Sequence, residues 1–283
     1  MMKPSIWTDA FVEFEPEEAI ERLREAGWRY FELADKHWRD IDKREKPEEG
    51  FRNLKRQCER LGVLIHQMHG PMFNTCEEPS KLKAHMEEAE RSLRWAGVLG
   101  VRWVVFHPGS ASISEDEEDL EEVRRRNLEV FGKLADTARQ LQLGIAIENT
   151  ADRNDGGRRV FGATTYELLF LVRALGPEVA GICWDTGHAN VQKLNQYKAI
   201  KALGKHLVAT HIDDNNSSSD QHLLPFEGNI DWKEVMRAFH EVNYDGFFNL
   251  EIGGAMHKVP LSVRVEKARY ALELTKALIE GRF

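Results

Sequence analysis

Cysteine is scarce in this chain, with three residues (Cys58, Cys76 and Cys183) among 283. They are odd in number and widely spaced, and no CxxC pair exists, which argues against a disulfide framework or a thiolate zinc site. This usage suits a reducing cytoplasm, the expected location. Cys183 lies inside an apolar run and reads as a small buried hydrophobe. Long hydrophobic runs are missing as well. No stretch approaches the roughly 20 apolar residues needed to span a bilayer. The opening MMKPSIWTDAFVEFEPEE lacks the charged-then-apolar layout of a secretory signal. Nor is basic charge in excess: 39 Lys and Arg against 47 Asp and Glu leave a net charge of −8. That balance disfavours a nucleic-acid partner bound through phosphate neutralisation. Low-complexity sequence is confined to Asn215–Asp220, which reads as a surface loop.

Apolar residues make up 42% and charged residues 30%, an ordinary globular balance. The length admits one α/β barrel or two smaller domains. Short apolar runs alternate with long amphipathic stretches. The pattern predicts strands over Lys3–Trp7, Tyr30–Leu33, Leu64–His69, Trp103–His107, Gly144–Glu148, Val179–Trp184, Leu207–Ile212 and Phe247–Ile252. Helices are predicted over Pro16–Ala26, Pro47–Leu61, Pro79–Leu99, Ser114–Leu141, Thr164–Leu175, Leu194–Leu203, Trp232–Val242 and Ser262–Leu278. Pro16, Pro47 and Pro79 stand where helices begin, and Gly27, Gly62 and Gly100 where they end. Strands such as VVF and IAI are continuously apolar, as expected when both sheet faces are covered. Eight β–α units at this spacing fit right-handed crossovers.

The ends of these strands carry the chemistry. Six strand-like segments run into His69, His107, Glu148, Asp185, His211 and Glu251; His188 follows one short turn after Asp185, and Asp220 and His222 lie in the loop after His211. An open doubly wound sheet would gather ligands near its switch point, not from six of eight strands. The expected fold is therefore a single (β/α)8 TIM barrel over residues 1–283, its site at the C-terminal mouth. Taken singly, Glu148 and Glu251 are strand-end glutamates that solvent would also suit. Asp185 would equally serve as a helix cap, and His211 as a hydrogen-bonded core residue. Taken together, Glu148, Asp185, His211 and Glu251 supply three oxygen ligands and one nitrogen. That set suits one divalent cation, Mn²⁺ or Zn²⁺ first, with Mg²⁺ or Co²⁺ also admitted. His69, His107, His188, Asp220 and His222 read as substrate contacts or additional metal positions. The other histidines (His37, His66, His85, His206, His240 and His257) lack this placement and receive no role. Arg153, Arg158 and Arg159 read as solvated loop charges. Trp7 reads equally as core or as a platform for a sugar face.

The ordered motifs HGP at 69–71, HPG at 107–109, IENT at 147–150, DTGHAN at 185–190, THIDDN at 210–215, DQHLLPFEGNIDW at 220–232 and LEIGG at 250–254 resemble the xylose-isomerase-like barrel superfamily. In its sugar isomerase and epimerase branch, the resemblance implies one ion held by Glu148, Asp185, His211 and Glu251. It further implies Glu148 and Glu251 as catalytic acid and base, and His188 against substrate oxygen. The expected activity is metal-dependent isomerisation or epimerisation of a small sugar or sugar phosphate through an enediolate; the sequence leaves monomer and homo-oligomer both open. The alternative is the endonuclease IV-type branch, a three-zinc phosphodiesterase of abasic DNA. Its nine ligands would correspond to these four with His69, His107, His188, Asp220 and His222. Two departures are visible. The loop after the seventh strand carries Asp220 and His222 where epimerases commonly add an arginine. DTGHAN stands where the nucleases have DTCHA.

Overall fold

In a computed structural model, residues 1–109, 112–113, 117–151 and 159–283 are described, with backbone alone for residues 112–113, 117–118 and 159. Strand β1 (Lys3–Trp7) is followed by α1 (Pro16–Glu25), β2 (Tyr30–Leu33), α2 (Asp35–Asp42), α3 (Pro47–Leu61), β3 (Leu64–His69), α4 (Pro79–Leu99) and β4 (Trp103–Phe106). Next come β5 (Ser112–Ile113), α5 (Glu117–Gln140), β6 (Gly144–Glu148), β7 (Arg159–Val160), α6 (Thr165–Leu175) and β8 (Ala180–Asp185). The chain continues through α7 (Thr186–Val191), α8 (Gln196–Leu203), β9 (Leu207–His211), α9 (Trp232–Glu241), β10 (Phe247–Leu250), α10 (Gly253–Met256) and α11 (Leu261–Ile279).

Eight strands form one parallel sheet in the order β10-β1-β2-β3-β4-β6-β8-β9. The seam between β9 and β10 is closed just past their ends, where Ile212 N–H donates to Asn249 O at 2.8 Å and Glu251 N–H to Ile212 O at 3.0 Å. The result is a (β/α)8 barrel. A two-stranded antiparallel ribbon, β5 with β7, lies apart from it and joins the loops that follow β4 and β6. The sequence pattern did not anticipate this ribbon, nor α2, whose buried Trp38 and Ile41 share one face, nor α7 and α10, too short to show a helical period. The predicted strands and long helices otherwise match to within a few residues. Residues Ser114–Asp116, expected to open the fourth long helix, lie outside the described residues.

Local punctuation explains the helix bounds. Pro16, Pro47 and Pro79 each occupy a first helical position, where a missing N–H costs nothing. Gly62 (φ 65°) and Gly100 (φ 81°) close α3 and α4 in the left-handed region. The main core lies between barrel and helices and includes the fully buried Trp28, Trp38, Trp184, Trp232, Phe31, Phe106 and Phe248. Inside the barrel Val105, Ala146, Cys183 and Ala209 form a separate small cluster beneath the mouth, packed by Trp103 and Val208. Cys183 is thus the small buried residue expected of it. Among the described residues, no helix is long and apolar enough to cross a membrane.

Candidate metal centre

Glu148 ends β6, Asp185 ends β8, His211 ends β9, and Glu251 directly follows β10. Each offers one ligand atom, and the four atoms lie within 4.8 Å of one another. His211 Nδ1 is 3.2 Å from Glu148 Oε1 and 3.0 Å from Glu251 Oε2. Ligand atoms 2.0–2.2 Å from one ion and at right angles around it would sit about 3 Å apart, so this spacing suits a shared cation. All four side chains are buried. Yet both Glu148 oxygens, Asp185 Oδ2, Glu251 Oε2 and His211 Nδ1 lack a hydrogen-bond partner. Buried polar atoms are seldom left so. A divalent cation among them would supply the missing partner for one such atom of each of the four residues, so the donor set fits the expected ion.

Charge in this cluster is unevenly shared. Burial alone would raise the Glu148 carboxyl, but the neighbouring His211 and His107 hold it well below its usual range. Glu251, opposed by burial in the same way, is held at about 2 by His211 and then His222. Asp185 is pushed up to about 8 by burial and by the Glu148 and Glu251 charges, against the pull of His188.

Asp185 does two jobs. Its Oδ1 accepts from His188 N–H at 2.5 Å and caps α7, while Oδ2 faces the cluster. Capping by one oxygen thus leaves the other unpartnered. His188 lies in this short helix rather than in a loop, and it is buried.

The remaining candidates surround the four. His107 Nε2 is 3.1 Å and His69 Nε2 3.8 Å from Glu148 Oε2. Asp220 Oδ2 lies 3.2 Å from His188 Nε2 and 2.9 Å from His222 Nε2. Burial works against the Asp220 charge, but bonding to these two histidines holds its carboxyl well below the usual range. The Nδ1 atoms of His69, His188 and His222 contact the carbonyls of Gly70, Asn149 and Glu251 at 2.8, 2.8 and 3.0 Å. A carbonyl accepts only, so each Nδ1 carries the proton and each Nε2 turns to the site. All nine candidates are thus brought together. A cavity of about 980 Å³ opens over them, lined also by Trp7, Asp35, Met72, Thr150 and Ser218. Trp7 accordingly belongs to the mouth. Arg153 and Arg158 lie outside the described residues, and of Arg159 only the backbone, in β7, is described.

Two buried carboxylates next to these candidates, Glu32 and Asp213, escaped the sequence reading. Glu32, inside β2, is 2.9 Å from His211 Nε2 through Oε2. Asp213, just past β9, lies within 4.8 Å of Asp220 and His222, and neither of its oxygens has a hydrogen-bond partner. Burial, then Asp185, pushes its carboxyl well above the usual value. The signal for Glu32 was present: a glutamate inside the apolar run Tyr-Phe-Glu-Leu. Asn215, placed in a surface loop by its Ser-rich neighbours, is in fact buried.

A family model for the xylose isomerase-like TIM barrel matches residues 20–278. The chain belongs to this family. The uncharacterized protein MJ1311 of Methanocaldococcus jannaschii is 30% identical over 192 residues, 67% of this chain and 64% of that protein. The D-psicose 3-epimerase of Enterocloster bolteae is 25% identical over 68% of this chain and 63% of its own length. This chain therefore spans just under two thirds of those two relatives. The inosose isomerase of Bacillus velezensis is 24% identical over 75% of this chain and 74% of its own. A probable endonuclease 4 of Aquifex aeolicus is 26% identical over 54% of this chain and 50% of its own. Among solved structures, the IOLI protein with a bound zinc atom superposes with a TM-score of 0.81 at 18% identity, covering 100% of this chain and 99% of that one. This likeness establishes the shared barrel.

Proposed function

We propose that this family member is a divalent-metal-dependent sugar isomerase or epimerase that moves a proton next to a carbonyl. The observation that carries the reading is the buried set of Glu148, Asp185, His211 and Glu251, whose unpartnered atoms converge beneath the cavity. These four would hold one ion, Mn²⁺ or Zn²⁺ first. When bound, such an ion supplies charge that stabilises an enediolate and so acidifies the carbon-bound proton. One of Glu148 and Glu251 would accept that proton, and the other would deliver one to the opposite face of the same carbon or to the adjacent carbon. His188 and the other histidines around the mouth would bind sugar hydroxyls. The relatives named as an epimerase and an isomerase support this class.

The test is solvent deuterium uptake by a panel of ketoses and aldoses with the Mn²⁺- or Zn²⁺-loaded protein. Glu148→Gln is expected to abolish uptake while the far-UV circular dichroism stays that of a folded barrel. Undiminished uptake in that variant refutes the assignment.

One further observation keeps a second reading in play. His69, His107, His188, Asp220 and His222 surround the same cavity and complete the residue types of a three-zinc phosphodiesterase. Against it stand the net charge of −8 and a lining that, among the described residues, includes neither Lys nor Arg. Elemental analysis separates the two: about one ion per chain supports the isomerase, about three the nuclease.

A further inference from the structure

Glu32 lies at the centre of a buried hydrogen-bond chain crossing the barrel interior. Its Oε1 and Oε2 are 3.1 and 2.9 Å from His211 Nε2, and Oε2 accepts from Asn249 Nδ2 at 2.6 Å. Asn249 Oδ1 accepts from Ser5 Oγ at 2.8 Å, and Ser5 Oγ is 2.6 Å from His66 Nε2. The direction of every link follows from Glu32. A carboxylate only accepts, so Asn249 must present its NH₂ to it and its carbonyl to Ser5. Ser5 then spends its proton on Asn249 and accepts from His66 Nε2–H. By the same rule, His211 Nε2 must donate to Glu32. That leaves Nδ1 facing Glu148 and Glu251. Three of the other four histidines around the site do the reverse, giving Nδ1–H to a backbone carbonyl.

We propose that Glu32, oriented by the chain through Asn249 and Ser5 to His66, is a positioning residue that commits His211 to bind the cation through Nδ1. This inference rests on the metal reading above. The far end of the chain is anchored by the barrel itself: the His66 ring stacks on Phe247 with centroids 3.7 Å apart and planes 10° apart. His66 also occupies an irregularity in the sheet. β2 pairs Phe31 with Ile65 and Glu32 with Gln67, so His66 has no partner in β2 and its ring reaches Ser5.

The experiment is calorimetric zinc titration of the metal-free full chain. In Glu32→Gln an amide nitrogen either opposes His211 Nε2–H or makes Asn249 turn its carbonyl to it, which reverses the Ser5 and His66 links. Zinc affinity is expected to fall about 10–100-fold. In the double variant E32Q/N249D every donor again meets an acceptor, with the carboxylate moved one link along. Affinity is expected to recover by at least about tenfold relative to E32Q. In zinc-loaded wild type, ¹⁵N spectra of the imidazoles are expected to show His211 protonated at Nε2 and without a proton at Nδ1. Should E32Q fail to fold, Ser5→Ala releases the Asn249 amide from two links away, and a loss of a few-fold in zinc affinity is expected. Wild-type affinity in E32Q or in S5A, no gain in the double variant, or a His211 proton on Nδ1 overturns the inference but leaves the metal site standing. A wild type that takes up no divalent ion instead overturns the metal reading, and this inference with it.

Discussion

At the scale of single residues, carboxylates organise this molecule by accepting. Asp185 caps a helix with one oxygen and turns the other to the cluster. Asp214, one residue past Asp213, is buried and accepts four times: from Asn215 N–H at 2.8 Å, Phe226 N–H at 3.0 Å, Ile230 N–H at 3.2 Å and Trp232 Nε1–H at 2.9 Å. It thereby folds the loop that carries Asp220 and His222. Asp214→Asn keeps the shape but sets an NH₂ against two of these donors. The expected cost is about 3 kcal/mol or more, because buried donors lose a charged acceptor. A urea unfolding midpoint equal to wild type would count against this role. None of this was legible beforehand. An Asp-Asp pair after a strand does not tell which oxygen meets which N–H twelve or more residues away.

Among elements, the short ones place the site. α10 docks on the β9–α9 loop: Ala255 N–H donates to His222 O at 3.0 Å, and His222 Nδ1 contacts Glu251 O at 3.0 Å. The approach is close enough that a Cβ on Gly254 would lie 1.9 Å from the carbonyl oxygen of Gln221. Backbone cannot move aside as a flexible side chain can. Gly254→Ala is therefore expected to shift the loop, lower stability by about 1–3 kcal/mol and weaken zinc binding. Thermal melts and zinc titration check both effects, and a variant matching wild type in each would show that the contact is slack. His222 itself has φ 46°, a conformation non-glycine residues seldom adopt, so it depends on these contacts for its position. The LEIGG motif was visible in the sequence, but the reason for its second glycine became visible only in the docked elements.

For the molecule as a whole, closing the barrel gathers carboxylates that otherwise repel one another. Glu148, Asp185 and Glu251 share one buried space, with His211 Nδ1 3.2 Å from Glu148 and 3.0 Å from Glu251. A cation that binds this arrangement and not the unfolded chain must stabilise it. At a hundredfold excess of Zn²⁺ or Mn²⁺ over its dissociation constant, stability should rise by about 2.7 kcal/mol, roughly 4 to 5 °C in melting temperature. A chelator should reverse the gain, and the combined variant E148Q/E251Q should abolish it. A melting temperature indifferent to both ions and chelator would remove the physical basis of the site.

The sequence alone determined the order and type of the major elements and the end of the barrel at which chemistry gathers. Helical and strand periods, proline starts and glycine stops act over a few residues, and a ligand at a strand end is read from its own neighbours. Tertiary structure decided the rest: the β2–β3 irregularity beside His66, the contact of Glu32 with His211 across 179 positions, and which nitrogen each histidine turns to the site. Those features arise from strand register and from directional bonds made when the barrel closes, and no local period encodes them.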